Sequence, residues 1–354
     1  MNNYIKLYQR LYSFSTYNLL LYANFMVLFT VTLQVNGFYL QVFNLLFAYL
    51  FIGIAGYFLN DYFDVKQDSI AKKFNITSLF NKFSIIALIF IFIIAGLILV
   101  YTVSFVAFWL LIIQIFLLFI YSFNPIRLKE KGFWGIITDA IYAHTLPAVI
   151  LLQIISEKAF ISIWLAISFI MLCFVIGVRD ILIHQCHDFK MDIKSSTKTF
   201  YVKHKNIARL LILYSENLIP LLIILVLGFL FNQTHTIPIL AILAVVFAVF
   251  LIKILNNVNQ VNFIIRAYII SSSIVLLLLA QNKLVCFGLL LHPFNLQFIK
   301  LVISNFITFL HKLRSLIHHF YKAKFTLFIN YLLYYLFLPF GRNLKDKPLY
   351  KKSK

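Results

Sequence analysis

The feature that most constrains this chain is a polar segment, residues 60–68, that follows a hydrophobic run and carries three aspartates. In helical geometry Asp61, Asp64 and Asp68 lie at i, i+3 and i+7, within an arc of about 60° on one helix face. Carboxylates at these spacings repel each other, and moving one into a bilayer costs about 3 kcal/mol. The pattern therefore predicts a bound cation that neutralises these carboxylates at a membrane surface.

The composition indicates an integral membrane protein. Of the 354 residues, 62% are hydrophobic and only 12% are charged, whereas soluble domains are about 25% charged. Apolar runs long enough for helices to cross a core of about 30 Å recur along the chain, and the alternation typical of strands is absent, so we predict an all-α fold. The three cysteines have neither paired nor zinc-like spacing, and no disulfide framework or thiolate metal site is expected.

The apolar runs predict about nine transmembrane helices. They form a membrane domain over residues 15–282, followed by a basic, hydrophobic extension over residues 283–354 that we expect to be amphipathic or membrane-associated. The predicted spans cover about residues 18–33, 40–59, 84–101, 105–122, 134–155, 161–183, 210–231, 237–255 and 263–279.

A second polar segment, residues 185–192, repeats the spacing of the first after another apolar run. Gln185 stands where Asp61 does, Asp188 and Asp192 match the other two aspartates, and the two segments together hold five of the 11 acidic residues. Carboxylate and amide oxygens suit Mg²⁺, with Mn²⁺ as the alternative. Since Mg²⁺ is usually completed by substrate phosphates, two facing carboxylate sets imply a diphosphate between them. The predicted metal ligands are Asn60, Asp61, Asp64, Asp68, Gln185, Asp188 and Asp192.

The distribution of lysine and arginine predicts the topology. The loops after the second, fourth and sixth spans are dense in basic residues, whereas the turns between carry almost none. By the positive-inside rule, the amino terminus and the two polar segments, called the first and second acidic segments below, face the cytoplasm. The membrane we expect is the bacterial inner membrane. Because basic loops and a basic tail explain the net charge of +20, we expect membrane lipids as partners, but neither nucleic acid nor an obligate protein.

Three motifs in one order resemble the UbiA superfamily of intramembrane prenyltransferases. They are Asn60-Asp61-x-x-Asp64-x-x-x-Asp68, Tyr121-Ser-x-x-Pro125-x-Arg127-Leu-Lys129 and Asp188-x-x-x-Asp192. The similarity covers roughly residues 18–279. It implies a bundle of about nine membrane helices around a central cavity, acidic motifs that bind the diphosphate of a polyprenyl donor through Mg²⁺, and an apolar tunnel for the prenyl chain.

The sequence departs from the family pattern at three places. Gln185 replaces a frequent aspartate, and Asn124 stands where a second proline is common before Pro125. The loop after Asp68 lacks the Asn-Arg-Pro-like segment often found there. None of these changes removes a carboxylate from the core motifs.

An allylic diphosphate ionises to a carbocation when its leaving group is neutralised, so this catalysis needs cations on the diphosphate and a dry cavity. We therefore predict a Mg²⁺-dependent prenyltransferase that moves a polyprenyl group from an allylic diphosphate to a small acceptor. The predicted catalytic carboxylates are Asp61, Asp64, Asp68, Asp188 and Asp192. The predicted diphosphate ligands are Asn60, Lys72, Tyr121, Arg127, Lys129 and Lys198.

The fifth span carries the predicted acceptor contacts. Asp139, Tyr142 and His144 lie early in this span, where a buried acid is expensive and often functional. A small aromatic compound and a lipid headgroup both fit as acceptors, and the sequence does not choose between them.

A different class of function is a membrane transporter, or a non-catalytic membrane protein that binds diphosphate or ions. That alternative predicts acids in the middle of helices and breaks at Gly or Pro. The acids of this chain lie instead at helix ends that are predicted to be cytoplasmic. A phospholipid alcohol-phosphotransferase also uses clustered aspartates, but the Gly-containing acidic signature of that class is missing from the sequence.

Overall fold

The structure is a computed structural model that describes residues 39–234 continuously and a few individual positions elsewhere. The chain divides into two units, Met1–Ile239 and Leu240–Lys354, and nearly all described residues belong to the first. The individual positions are residues 3, 5, 7, 22, 23, 25, 26, 28, 29, 33, 307, 310, 311 and 314.

The first long helix, α1 (Tyr39–Ala71), contains the whole first acidic segment. Its 33 residues make a rod of about 50 Å, well beyond the bilayer core of about 30 Å. The sequence pattern predicts an end near residue 59, where the apolar run stops, but the helix continues for three further turns. The helical placement of Asp61, Asp64 and Asp68 is therefore confirmed.

Helices α2 (Lys82–Tyr101) and α3 (Phe105–Ser122) form a hairpin with short polar caps. The Asn81 side chain accepts a hydrogen bond from the Ser84 backbone N–H, and Ser104 caps α3 by accepting one from Ala107 N–H. Such caps satisfy backbone donors that have no partner within the helix. The bounds agree closely with the predicted third and fourth spans.

The fifth span is one rod with an irregular centre. It consists of α4 (Phe133–Ala140), a π-helical turn (Ile141–Thr145) and α5 (Leu146–Ser156). Pro147 cannot donate a backbone hydrogen bond, so the carbonyl four residues earlier loses its helical partner. The hydroxyl of Tyr22 lies 3.5 Å from that carbonyl, of Ala143, and donates to the carbonyl of His144 at 2.8 Å. The hydroxyl of Tyr49 donates to the carbonyl of Pro147 at 2.6 Å.

The second acidic segment lies within another helix that extends beyond its apolar run. Helix α6 (Ile163–Lys194) has 32 residues, again about 48 Å of rod, and is followed by the short α7 (Phe200–Lys203) and the long α8 (Lys205–Thr234). The predicted sixth span ends near residue 183, eleven residues before α6 does. Both acidic segments therefore form the final turns of helices that overrun the hydrocarbon core.

Six described helices are long and apolar enough to cross a membrane. They cover Leu40–Ala71, Lys82–Tyr101, Phe105–Ser122, Phe133–Ser156, Ile163–Lys194 and Lys205–Leu230. These are the second to seventh predicted spans. The first, over residues 18–33, is described only at single positions, most of them helical. The eighth and ninth spans lie outside the described residues, as does the C-terminal extension except for four positions.

The loop after α1 folds back onto the acidic end of that helix. Asn75 donates from its side-chain nitrogen to the Asp61 carbonyl and to Oδ2 of Asp68, both at 2.8 Å. The backbone N–H of Ile76 donates to Oδ2 of Asp61 at 3.0 Å. The loop thus supplies hydrogen-bond donors to two carboxylates of the first acidic segment.

The fifth and sixth spans touch through their backbones at one point. A Cβ atom built on Gly177 would lie 2.8 Å from Cα of Ala140, a separation that real Cβ atoms do not tolerate. Glycine is therefore required in α6 at the level where the π-helical turn begins in the facing span. This contact fixes the position of residues 139–144 along the axis of α6, relative to residues 179 and 180.

We expect the substitution Gly177→Ala to lower the free energy of unfolding by about 1–3 kcal/mol, because the added methyl group forces the two helices apart. Thermal unfolding of the protein in a fixed detergent measures the change. Gly228→Ala is the matched control, since no atom of the described residues outside the adjacent turns of its own helix lies within 4 Å of a Cβ at that position. Helix propensity predicts that the control gains about 0.5–1 kcal/mol, and equal destabilisation by both variants would contradict the close contact.

We also expect Asn75→Ala to destabilise the protein by about 2 kcal/mol, because it leaves buried acceptors on α1 without their donor. The comparison is with Asn81→Ala, which removes an exposed helix cap and should cost about 0.5–1 kcal/mol. Unfolding in the same detergent measures both variants. A smaller effect at Asn75 than at Asn81 would show that the loop does not hold the acidic end of α1.

Candidate functional site

The structure brings the first acidic segment against a basic loop that follows α3. Asp64 pairs with Lys129 through Oδ2 and with Arg127 through Oδ1, the latter at 2.8 Å. All three side chains are buried. Side chains some 65 residues apart in the sequence thus form one compact ion-pair cluster near the end of α1.

Asn60 completes this cluster on the side of α3. Its Oδ1 atom accepts hydrogen bonds from Nζ of Lys129 at 2.7 Å and from Oγ of Ser122 at 3.1 Å. Burial lowers the pKa of Lys129, and the neighbouring Asp64 carboxylate opposes that shift without reversing it. The ammonium group therefore depends on Asp64 and Asn60 for its stability as a cation.

Arg127 occupies a backbone conformation that is unusual for a residue with a side chain. Its φ of 43° lies in the left-handed region, which costs a non-glycine residue about 1–2 kcal/mol. Burial disfavours the charge of Arg127, but Asp64 and Glu130 outweigh it and raise the pKa above its ordinary value. The guanidinium also contacts Glu130 through Nε.

Both terminal nitrogens of this guanidinium lack a hydrogen bond among the described residues, although Nη2 forms the ion pair with Oδ1 of Asp64. Nη1 of Arg127 is buried and has no hydrogen-bond partner among the described residues. A permanently charged donor that is buried without an acceptor is expensive, and anionic oxygens are the acceptors that guanidinium geometry fits best. The basic loop therefore holds an unused donor for an anion beside Asp64.

The second acidic segment has its own set of partners. Asp188 pairs with Nζ of Lys73 at 2.5 Å and lies 3.7 Å from Nε2 of His184. Asp192 accepts a hydrogen bond from the hydroxyl of Thr199 at 3.2 Å. Since Lys73 belongs to the loop after α1 and Asp188 to α6, this ion pair links the two acidic helices.

Gln185 is buried and its amide oxygen has a backbone partner. Oε1 accepts a hydrogen bond from the N–H of Tyr201 at 3.0 Å. This contact anchors α7 against α6, directly after the loop that carries Thr199. In this structure the oxygen predicted to bind a metal therefore holds the polypeptide backbone.

Three predicted diphosphate ligands lie outside the ion-pair contacts. Lys72 and Lys198 are exposed, and Lys72 directly follows α1 with a φ of 56°. Tyr121 is buried, with its ring 5.3 Å from that of Tyr142 in an edge-to-face arrangement. Tyr121 thus stands between the basic loop and the predicted acceptor contacts.

The predicted acceptor residues lie together around the π-helical turn. The hydroxyl of Tyr142 donates to Oδ1 of Asp139 at 2.6 Å. His144 is buried, with Nε2 at 3.9 Å from Oδ2 of Asp180 on α6. Arg179 links Asp180 to Glu216 of α8 through two ion pairs of 2.8 and 3.1 Å. Four helical segments therefore contribute to one polar region within the spans.

The carboxylates of the two acidic segments have the chemistry of a magnesium site. Within the described part of the chain, no three Asp, Glu, His or Cys side chains converge as metal ligands. Lysine and arginine nitrogens occupy carboxylate oxygens that a hard cation would take, as at Asp64 and Asp188. All donors are oxygens, which is the set that Mg²⁺ prefers, so the residues present fit this ion.

Several contact residues were missed by reasoning from sequence. Lys73 rather than Lys72 reaches the second acidic segment, and Asn75, Thr199 and Glu130 bind members of the predicted site. The sequence could not show which of the adjacent Lys72 and Lys73 contacts Asp188, because the direction of each side chain depends on the left-handed backbone conformation of Lys72. Small polar residues in loops gave no signal either.

Comparisons with known proteins identify the family of this chain. The sequence profile described as the UbiA prenyltransferase family matches residues 19–262. No curated protein sequence matches the chain significantly.

Solved structures of a UbiA homolog from Archaeoglobus fulgidus share the fold. The homolog bound to GPP and Mg²⁺ is 18% identical, with a TM-score of 0.57 over 81% of this chain and 99% of that one. The same homolog bound to DMAPP and Mg²⁺ is 17% identical, with a TM-score of 0.56 over 77% and 96%. Because the family profile spans more than half of the chain and six helices can cross a membrane, this multi-pass membrane protein belongs to the UbiA prenyltransferase family.

Proposed function

We propose that the protein is a Mg²⁺-dependent intramembrane prenyltransferase that moves a polyprenyl group from an allylic diphosphate to a small aromatic or lipid-headgroup acceptor. The observation that carries this proposal is the buried cluster of Asp64, Lys129 and Arg127, which joins an acidic and a basic motif across some 65 residues. Family membership and the diphosphate-bound homolog structures support it.

The cluster suits a diphosphate because it already contains both kinds of group that the diphosphate needs. Phosphate oxygens can replace Asp64 as acceptors for Lys129 and Arg127, and Nη1 of Arg127 offers a further donor. The displaced carboxylate is then free for a metal ion. Binding therefore exchanges one set of ion pairs for another without leaving a buried charge unpaired.

The carboxylates of both acidic segments would hold the metal. They are Asp61, Asp64 and Asp68 on α1 and Asp188 and Asp192 on α6, with Asn60 and Gln185 as predicted neutral ligands. Bound Mg²⁺ would supply positive charge that makes the diphosphate a better leaving group. The ammonium group of Lys73 pairs with Asp188, so phosphate oxygens can replace that carboxylate as they would replace Asp64 at Lys129.

We infer the remaining organisation from the same proposal. The membrane domain spans residues 15–282 and the extension residues 283–354, with the amino terminus and both acidic segments on the cytoplasmic side of a bacterial inner membrane. Lys72, Lys198 and Tyr121 are secondary diphosphate contacts in this arrangement. Asp139, Tyr142 and His144 contact the acceptor.

We expect Asp64→Asn and Asp188→Asn to reduce diphosphate release from a prenyl diphosphate by about 100-fold or more, because each loses a carboxylate that neutralises the leaving group through the metal. The assay uses the purified protein in lipid nanodiscs with labelled geranylgeranyl diphosphate and Mg²⁺. Glu157→Gln is the matched control, because Glu157 contacts Ser104 at the other end of the fifth span. Release that is independent of both aspartates would contradict the proposal.

A separate test concerns Gln185, whose oxygen is a predicted metal ligand and also the acceptor for Tyr201 N–H. We expect Gln185→Ala to lower thermal stability by about 1–3 kcal/mol in unfolding free energy, because the buried N–H loses its partner. The Mg²⁺ concentration that gives half-maximal activity should stay the same if the anchoring role dominates. An increased Mg²⁺ requirement without loss of stability would assign the residue to the metal instead.

A further inference from the structure

We propose that Gln67 is a further metal ligand of the site, through its amide oxygen Oε1. This residue lies between the aspartates of the first acidic segment and outside the repeated spacing that predicts the other ligands. The inference rests on the proposed prenyl transfer and deepens it, because it adds a neutral oxygen to the carboxylates that would hold Mg²⁺. The evidence is that polar side chains at the end of α1 form two strips with different partners.

The loop-facing strip of α1 consists of Asp61 and Asp68. These residues are seven positions apart, so they lie nearly in line along the helix. The backbone N–H of Ile76 donates to Oδ2 of Asp61, and the side chain of Asn75 donates to Oδ2 of Asp68. One oxygen of each carboxylate in this strip therefore anchors the loop that follows α1.

The cluster-facing strip consists of Asn60, Asp64 and Gln67. They lie at i, i+4 and i+7, within an arc of about 60°. Asn60 and Asp64 both contact Nζ of Lys129, and Asp64 also pairs with Arg127. Gln67 is therefore placed about one turn beyond Asp64, on the side of α1 that forms the ion-pair cluster.

The oxygen of Gln67 is buried without a partner. Oε1 accepts no hydrogen bond from any residue that the structure describes, although the side chain as a whole is only half-buried. The oxygen thus points inward while other atoms of the side chain reach the surface. A buried acceptor without a donor costs free energy, whereas an outward amide would be hydrated. An inward oxygen of this kind points to a ligand that offers positive charge.

The neighbouring atoms favour a metal ion held on a diphosphate. Oδ1 of Asp64 is also buried without a hydrogen bond in the described part of the chain, and so are both terminal nitrogens of Arg127, its ion-pair partner. A magnesium diphosphate meets both needs, since the ion takes oxygen ligands and the phosphates accept from a guanidinium. Ligands at i and i+3 on one helix, the spacing of Asp64 and Gln67, recur in metal sites of helical bundles.

The role of Gln67 also fits the difference between the two acidic helices. Gln185 of α6 is the neutral residue that the repeated spacing predicts as a ligand, but its Oε1 accepts a hydrogen bond from Tyr201 N–H. Gln67 offers an amide oxygen of the same kind that the described residues do not engage. The neutral amide ligand therefore comes from α1, while α6 contributes Asp188 and Asp192.

The test measures metal affinity and ligand-free stability in variants of Gln67. The full-length protein in lipid nanodiscs is saturated with geranylgeranyl thiolodiphosphate, a donor analogue that resists ionisation. It is then titrated with Mn²⁺, and electron paramagnetic resonance measures the free ion. Thermal unfolding without Mn²⁺ or analogue gives the second readout. Gln67→Leu removes the oxygen and keeps a side chain of similar size, whereas Gln67→Glu keeps acceptor oxygens and adds a charge.

We expect Gln67→Leu to weaken Mn²⁺ binding by about 10-fold, because the ion loses one oxygen ligand. The ligand-free unfolding midpoint should stay the same or rise, because a buried acceptor without a donor is removed. Gln67→Glu should bind Mn²⁺ several-fold more tightly than the unaltered protein, since a charged ligand replaces a neutral one.

Two controls accompany these variants. Ser69→Glu adds the same charge at an exposed position on the opposite side of α1, and should change Mn²⁺ affinity less than Gln67→Glu does. Gln153→Leu removes an amide that contacts Glu157 at the other end of the fifth span, and should leave Mn²⁺ affinity unchanged.

Three outcomes would overturn the inference. The first is unchanged Mn²⁺ affinity in Gln67→Leu. The second is a loss of affinity in that variant together with a lower ligand-free midpoint, which would assign Gln67 to the fold. The third is binding by Gln67→Glu that is no tighter than binding by Ser69→Glu. Absence of Mn²⁺ binding by the unaltered protein with the analogue would instead contradict the proposed function, so the two failures are distinguishable.

Discussion

Neutralisation of carboxylates at the end of a membrane-spanning helix is the constraint on which this structure depends. Five of the chain's 11 acidic residues lie in the final turns of α1 and α6, where water is limited and like charges are close. The protein meets this constraint with its own cations, since Lys129 and Arg127 pair with Asp64 and Lys73 pairs with Asp188. The basic loops therefore neutralise carboxylates of both acidic segments.

The length of the two acidic helices follows from the same constraint. Rods of about 50 Å carry their charged ends past a core of about 30 Å, so the carboxylates reach the interface while the apolar turns remain in lipid. Asn75 and Tyr201 then connect each helix end to the loop that follows it. The ion pairs at Asp64 and Asp188 are of a kind that phosphate oxygens and a metal ion can replace.

The sequence predicted that Asp61, Asp64 and Asp68 share one face of a helix, because the helical repeat of 3.6 residues per turn alone determines this. The resemblance to the family also predicted that the acidic and basic motifs belong to one site. The identity of the partners could not be predicted. The choice of Lys73 over Lys72 and the approach of Arg127 to Asp64 depend on left-handed turns in loops. The bond between Gln185 and Tyr201, and the π-helical turn before Pro147, depend on tertiary contacts that no local pattern records.

The measurement that tests the central claim most directly is the thermodynamic coupling between diphosphate and Mg²⁺. The affinity of the protein in nanodiscs for a non-ionisable prenyl diphosphate analogue is measured with and without Mg²⁺, and the affinity for Mg²⁺ with and without the analogue. Exchange of ion pairs at Asp64 predicts that each ligand strengthens the other by the same factor, and that Asp64→Asn largely removes this factor. Diphosphate binding that is independent of Mg²⁺, or coupling that is unchanged in Asp64→Asn, would contradict the account.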